Sequence, residues 1–300
     1  MKLEYKDSNK KDWFLVTWDL SDKCNYRCSY CPSFLHDGIN GWPNYDKVIN
    51  FVDHLSNLVP NKKICYRFSG GEPTYWKYFA ELIKYIHEKN NYVSLLSNGS
   101  KDINYWKDID QYIDGVILSY HPEYSTADQF IDISNVLTCP IAVNLMLTPD
   151  NFNDTLLIAD KLYNNSTMAI WPKLIHDKMG EITNKLYKYS DSQKEIIKNW
   201  RYFRSIDSTK IHRGDLLLDG KDVNANNLIL SGTNSFINWK CYAGVDQINV
   251  GLDGSVYRGD CMFGGKLGML DNFTLPIEPI VCGKKFCNCL SDIYIRKENE

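Results

Sequence analysis

Phe14-Leu-Val-Thr-Trp-Asp-Leu-Ser-Asp-Lys-Cys24-Asn-Tyr-Arg-Cys28-Ser-Tyr-Cys31 is the stretch on which the reading of this 300-residue chain turns. Its first residues, Phe14–Asp19, are rich in aromatic and β-branched side chains and predict a strand. The strand runs into a loop that carries three thiols within eight residues. On a regular strand such closely spaced side chains point to opposite faces, so they cannot converge there. A loop can wrap them around one centre, and the number of ligands then matters. Structural zinc sites are closed by four protein ligands, whereas an iron–sulfur cube bound by three cysteines leaves one iron open to an exogenous ligand. On spacing alone, a zinc loop completed by His36 or a distant residue stays open.

Outward from this stretch, short β-rich runs alternate with helical patterns. Strands are predicted at Phe14–Asp19, Ile64–Ser69, Val93–Ser97, Val116–Tyr120, Ile141–Leu147 and Met168–Leu174. Between them, Tyr45–Leu58 and Tyr75–Lys89 place apolar residues at three- and four-residue steps, as amphipathic helices packed on a sheet do. Six strands alternating with helices predict an α/β fold, a partial (β/α)6 TIM-like barrel with a parallel sheet. A charged helical stretch, Ser190–Arg204, follows. The pattern then changes to short strands with turn residues, including Gln247–Val250 and Ser255–Arg258 around an Asp253-Gly254 hairpin signal. The predicted organisation is a barrel over 1–205 and a small cysteine-rich hairpin and helix extension over 206–300, dependent on a metal for its fold.

The composition fits one globular α/β unit with an appendage: 44% of the residues are hydrophobic and 24% charged. The 34 basic and 37 acidic side chains are scattered and sum to −3, so no basic face suggests nucleic acid or a membrane surface. The start of the chain has no signal-peptide pattern, and no run approaches the ~20 apolar residues of a membrane span. The expected location is the cytoplasm. In a reducing compartment ten cysteines point to metal binding rather than disulfides. Cys24, Cys28 and Cys31 form one group and Cys241, Cys261, Cys282, Cys287 and Cys289 another, while Cys65 and Cys139 lie alone in apolar runs.

The Cys-x3-Cys-x2-Cys spacing, with Tyr30 just before the last cysteine and a strand before the first, resembles the signature of the radical S-adenosylmethionine (SAM) superfamily. The resemblance implies a [4Fe-4S] cluster on Cys24, Cys28 and Cys31 whose open iron binds SAM. It also implies an electron donor such as flavodoxin or ferredoxin. At the end of the second strand, Ser69-Gly70-Gly71-Glu72-Pro73 is similar to the family's glycine-rich SAM motif. Glycines there allow close backbone approach, and Glu72 can accept a hydrogen bond from an ammonium group. Ser97 and Asn98, before Gly99 at the third strand end, resemble a segment near the SAM methionyl or ribose groups. Ser119 and Asn144 stand where family members contact carboxylate or ribose. These residues, with Tyr30, are the expected cofactor-binding set, all near the C-terminal strand ends where barrel active sites gather.

The second cysteine group resembles the Twitch or SPASM extensions of the same superfamily. That implies an auxiliary [4Fe-4S] cluster on Cys241, Cys261, Cys282 and one of Cys287 and Cys289. The alternatives are zinc, or cysteines buried as small hydrophobes. Tyr120, His121, Glu123, His176 and Asp260 are candidates for a base or hydrogen donor. The expected activity is SAM cleavage and hydrogen abstraction from a small molecule such as a sugar, nucleotide or amino-acid derivative, with oxidation, epimerisation or rearrangement. A peptide maturase and a non-catalytic zinc or iron–sulfur protein are the alternatives. About a dozen residues precede the first predicted strand, where some peptide-modifying relatives carry a leader-binding domain, and this tilts the expectation toward a small substrate.

Overall fold

The computed structural model describes residues 2–7, 12–175, 186–204 and 214–299; His176 lies outside them. After a peripheral strand β1 (Leu3–Asp7), the chain runs through β2 (Trp13–Asp19), β3 (Lys63–Ser69), β4 (Tyr92–Ser97), β5 (Gly115–Tyr120), β6 (Ile141–Leu147) and β7 (Ala169–Leu174). These six lie side by side in sequence order, all parallel. Each falls within one residue of its predicted bounds. They were legible because strands of a parallel sheet are covered on both faces and read as short, nearly continuous apolar runs.

Helices α1 (Tyr45–Leu58), α2 (Phe79–Glu88), α3 (Ile103–Ile109), α4 (Ala127–Val136) and α5 (Phe152–Asn165) connect the strands. In α1 the Asn44 side chain accepts a hydrogen bond from the Lys47 backbone N–H, and Val48, Phe51, Val52 and Leu55 bury one face. In α2 Phe79, Leu82, Ile83 and Ile86 do the same. The helix predicted from Tyr75 starts later because Pro73–Tyr75 forms a 3-10 turn and Trp76 is extended. The stretch Ser190–Arg204 contributes only α6 (Asp191–Lys198), opened by a capping box of Ser190 and Gln193.

Four strands continue the sheet beyond β2. The chain first forms β8 (Gly214–Leu218), β9 (Lys221–Asp222), α7 (Ala225–Ser231) and β10 (Lys240–Cys241). Then β11 (Gln247–Val250) lies parallel to β2, and β12 (Ser255–Tyr257), β13 (Lys266–Met269) and β14 (Asn272–Phe273) follow antiparallel. The ten strands form one open sheet in the order β14-β13-β12-β11-β2-β3-β4-β5-β6-β7. The fold is thus a partial barrel rather than a closed one. Residues on both sides of the predicted 205/206 boundary share sheets, since β8 pairs with β1 and β11 with β2. The last elements are β15 (Ile280–Val281), α8 (Leu290–Ile293) and β16 (Lys297–Glu298), and β15 and β16 flank β10. Among the described residues no helix is long and apolar enough to cross a membrane.

On the inner face a layer of Ile117, Ala142 and Ala169, joined by Leu96 and Trp171, fills the barrel. The outer core reaches into the C-terminal strands: Phe273 of β14 packs on Phe51 of α1 with ring centroids 5.2 Å apart, and Phe51 meets Trp18 of β2 at 4.8 Å. Phe273→Ala should cost about 3 kcal/mol, as for a buried aromatic truncated in a core. Because the sheet is shared, anaerobic calorimetry should show one transition moved downward. A separate early transition, with the main one unmoved, would contradict this.

Candidate active site

The parallel strands end around a cavity of about 1330 Å³. Cys24, Cys28, Tyr30 and Cys31 reach it from the loop after β2, Gly70 and Gly71 from the end of β3, Ser97 and Asn98 from β4, Ser119 from β5 and Asn144 from β6. The sequence-predicted residues of five different strand ends therefore share one chamber. Glu72 and Pro73 stand behind its wall, both buried.

The two glycines are required by a close crossing of backbones. A Cβ on Gly70, whose φ is +93°, would lie 2.5 Å from the Ser21 carbonyl oxygen, and one on Gly71 would lie 2.2 Å from that of Lys23. Any side chain would push the cysteine loop off the end of β3. With none present, Gly71 N–H donates to Ser21 O at 2.6 Å and Glu72 N–H to Lys23 O at 2.8 Å. The turn that resembles a SAM motif is thus also the seat of the loop that carries the thiols.

Glu72 has a different role from the one expected. Its Oε1 accepts hydrogen bonds from Thr74 N–H, Thr74 Oγ1 and Ser97 Oγ at 3.2, 2.7 and 2.8 Å, and its Oε2 from Asn98 N–H at 2.7 Å. Burial raises its pKa, against the lowering effect of these bonds. The carboxylate joins the ends of β3 and β4 rather than facing the cavity. Asn98 passes the connection on: its Nδ2 donates to Asn25 Oδ1 at 2.8 Å, and Asn25 Nδ2 donates to Ser100 Oγ at 3.1 Å.

The opposite flank of the loop is held from the end of β5, by residues first considered as bases. Glu123 accepts Ser29 Oγ–H at 2.6 Å and Ser29 N–H at 3.0 and 3.1 Å. His121 Nδ1 lies 2.7 Å from the Tyr30 hydroxyl and 3.4 Å from Cys28 Sγ, and burial depresses its pKa to about 4, keeping the ring neutral. Tyr26 stacks on Tyr124 at 4.5 Å. Nothing local in the sequence marks this clamp, since residues 121–125 lie about ninety positions from the loop they hold.

Residues 18–128 match the Radical SAM superfamily. This stretch holds the cysteine loop, the glycine turn and strands β3 to β5. A GTP 3',8-cyclase from Klebsiella pneumoniae (strain 342) is 28% identical over 120 residues, 36% of this chain and 35% of that protein. An S-adenosylmethionine-dependent nucleotide dehydratase from Selenomonas ruminantium is 30% identical over 93 residues, 30% of this chain and 32% of its own. The chain spans about a third of the length of these curated relatives. Among solved structures, Streptococcus suis SuiB superposes with a TM-score of 0.57 at 14% identity, over 87% of this chain and 64% of that one. Native anSMEcpe with bound AdoMet gives 0.53 at 20% identity, over 87% and 78%. At these identities the likeness shows the fold.

Radical SAM domains take a [4Fe-4S] cluster and SAM, and the donor set here suits them: three thiols border an open chamber from a loop braced on both sides. Burial raises all three thiol pKa values, Cys28 to about 12 and Cys31 to about 11, so metal loading there displaces protons. Among the described residues no three His, Cys, Asp or Glu side chains are arranged to hold a single metal ion. Thiolates on one zinc stand about 3.8 Å apart, given Zn–S bonds of about 2.3 Å, whereas a cube spreads its ligands further. His36 borders the same cavity.

Deeper in the barrel the wall is polar. Asp19, at the end of β2, accepts from Ser69 Oγ at 2.7 Å, and burial, reinforced by Asp260, raises its pKa to about 6. Asp260 accepts from Thr17 Oγ1 at 3.0 Å, from Asn249 Nδ2 at 2.6 Å and from Ser291 Oγ. Of the five C-terminal cysteines, Cys289 borders the cavity. Cys241, in β10, and Cys282 pack in one small cluster, and Cys282 also touches the main core that includes Cys287. Asn234 holds the Cys287 backbone through its own carbonyl and Nδ2, each at 2.9 Å. Asp292 accepts Cys261 N–H at 2.7 Å, and the buried Lys297 ammonium donates to the carbonyls of Asp292, Ile293 and Ile295 at the end of α8.

Gly71→Ala should fold yet fail to retain the roughly four irons of the barrel cluster, by iron analysis and loss of the brown absorbance after anaerobic reconstitution. Glu123→Gln should give a partial loss, because Ser29 keeps neutral partners in place of charged ones. Full iron content in Gly71→Ala would contradict the seating role of the turn.

Proposed function

We propose that this chain is a SAM-cleaving radical enzyme in which Cys24, Cys28 and Cys31 ligate the cluster and SAM lies along Gly70, Gly71, Ser97, Asn98, Ser119 and Asn144, with Tyr30 at the loop. The observation that carries the reading is one chamber bordered by all these residues, with the cysteine loop at its mouth. When bound and reduced by a donor of the flavodoxin or ferredoxin class, the cluster and SAM supply a 5'-deoxyadenosyl radical that removes a hydrogen atom from the substrate. The protein's part is positional: Glu123, His121 and the Gly70–Gly71 turn fix the loop, and the apolar layer of Ile117, Ala142 and Ala169 closes the chamber below.

The substrate we infer is a small polar metabolite. A cavity of about 1330 Å³ exceeds the ~300–1,000 Å³ that holds one drug-sized ligand, leaving room for SAM and a second molecule. Support for a nucleotide-like substrate comes from the curated relatives, whose names are GTP 3',8-cyclase and nucleotide dehydratase. A peptide substrate is the second reading. It is favoured by the fold likeness to SuiB bound to precursor peptide SuiA, at a TM-score of 0.57 and 13% identity over 87% of this chain. Cys241, Cys261, Cys282 and Cys287 hold an auxiliary [4Fe-4S] cluster in this reading, and the place of Cys289 on the cavity wall supports setting it apart from the ligand set.

Reconstituted, dithionite-reduced protein should convert SAM to 5'-deoxyadenosine, and Cys28→Ala should abolish the product. No product from protein with a complete cluster, or zinc with no labile sulfide in anaerobically purified material, would overturn the reading. Cys241→Ala should lose roughly the four irons of the second cluster and leave the first in place. Loss of both would contradict two separate sites.

A further inference from the structure

Three neighbouring strands present polar side chains to the cavity: Ser119 on β5, Asn144 on β6 and Lys173 on β7. Ser119 and Asn144 face each other in register, and Lys173 pairs with Met146, two residues further along β6 from Asn144. Among the described residues none of the three side chains has a hydrogen bond or ion pair to a protein group. Other cations around the chamber are disposed differently. Arg204 donates to the Ser166 and Tyr163 carbonyls, Lys198 is exposed at the rim, and Arg67 lies deeper with interactions of its own.

An ammonium withdrawn from bulk water without a hydrogen-bonded partner is costly to keep charged, and a bound anion removes that cost. Lys173 is half-buried on the cavity wall, and desolvation lowers its pKa, opposed by Cys289 and Asp260. Asp260 accepts from Thr17, Asn249 and Ser291 and forms no ion pair with Lys173, acting on it only at longer range. The place of Lys173 also bears on which anion it meets. It stands on β7, at the end of the sheet order that begins, within the parallel strands, with β2 and β3. Its electrostatic neighbours, Cys289 and Asp260, come from the C-terminal segment.

We propose that Lys173 is the anion-recognition residue of the chamber, its ammonium binding a phosphate or carboxylate group of the substrate between the SAM wall and the C-terminal cysteine segment. This rests on the chamber being the reaction site. It narrows the substrate class to anionic molecules and makes Lys173 a specificity-determining residue.

The test is anaerobic calorimetric titration of the full-length reconstituted protein, in the presence of SAM, with inorganic pyrophosphate and, at matched ionic strength, with acetate. Wild type should bind at least one probe. Pyrophosphate alone would indicate a phosphate-bearing substrate, and binding of acetate as well a site open to carboxylates. Lys173→Met should weaken the binding by about tenfold or more, the loss of one charge-assisted contact. Lys173→Arg should restore most of it, and SAM affinity and iron content should stay as in wild type. No probe binding to wild type, or equal binding to Lys173→Met, would overturn the proposal. A fall in SAM affinity instead would place the lysine on the SAM carboxylate, and a loss of iron would make it a support of the cysteine segment. Failure of wild type to form 5'-deoxyadenosine would count against the radical reading alone, because the anion titration does not depend on turnover.

Discussion

The backbone crossing at Gly70–Gly71 is the constraint on which the site depends. With the Lys23 carbonyl oxygen only 2.2 Å from where a Gly71 Cβ would be, the strand end and the cysteine loop touch main chain to main chain. Two short hydrogen bonds, from Gly71 and Glu72 to Ser21 and Lys23, then fix where the loop begins. A ligand loop held only by its metal would have to be ordered at the moment of loading, at about 1–2 kcal/mol per residue of backbone entropy. Seating its first turn on a strand end meets part of that cost during folding.

Two carboxylates complete the arrangement from opposite sides, and they differ in kind. Glu72 is wholly buried, so its charge is tolerable only because four donors surround it, and even so burial keeps its pKa raised. Glu123 is more open and acts by geometry, receiving the backbone and hydroxyl of Ser29 between the second and third cysteines. One ties neighbouring strand ends together behind the wall. The other brings the loop across to β5. The three thiols are thereby held by elements that are themselves parts of the parallel sheet, and the stability of the barrel is coupled to the shape of the ligand loop.

The sequence disclosed what depends on local pattern. The six parallel strands were legible because each is a short apolar run, and α1 because Val48, Phe51, Val52 and Leu55 repeat at helical steps. The thiol triplet and the glycine turn were legible as chemistry at strand ends. Pairings between distant positions were not. Nothing near Gln247–Val250 announces that it lies along β2 rather than in a detached hairpin, since a hairpin signal fixes its own two strands and not their neighbour. Glu72 shows the same limit: as a side chain beside two glycines it suggests a ligand contact, and its bonds to Thr74, Ser97 and Asn98 depend on residues the local pattern does not place.

That continuity of sheet has a consequence for chemistry. Because β11 extends the barrel sheet past β2, the hairpin brings Asp260 against Thr17 and Asn249, and α8 brings Ser291 to Asp260 and Asp292 to the Cys261 backbone. Cys261 is thereby positioned through groups bonded to the same sheet that positions the first three cysteines. The chamber between them is bounded on one side by the loop at β2 and β3 and on the other by the segment around Cys289, with Lys173 on the strand that faces this segment. A molecule bound in that gap would be within reach of both cysteine groups without any movement of one part of the chain against another. The register of β11 along β2, rather than a flexible hinge, would set the distance over which an electron or hydrogen atom must pass.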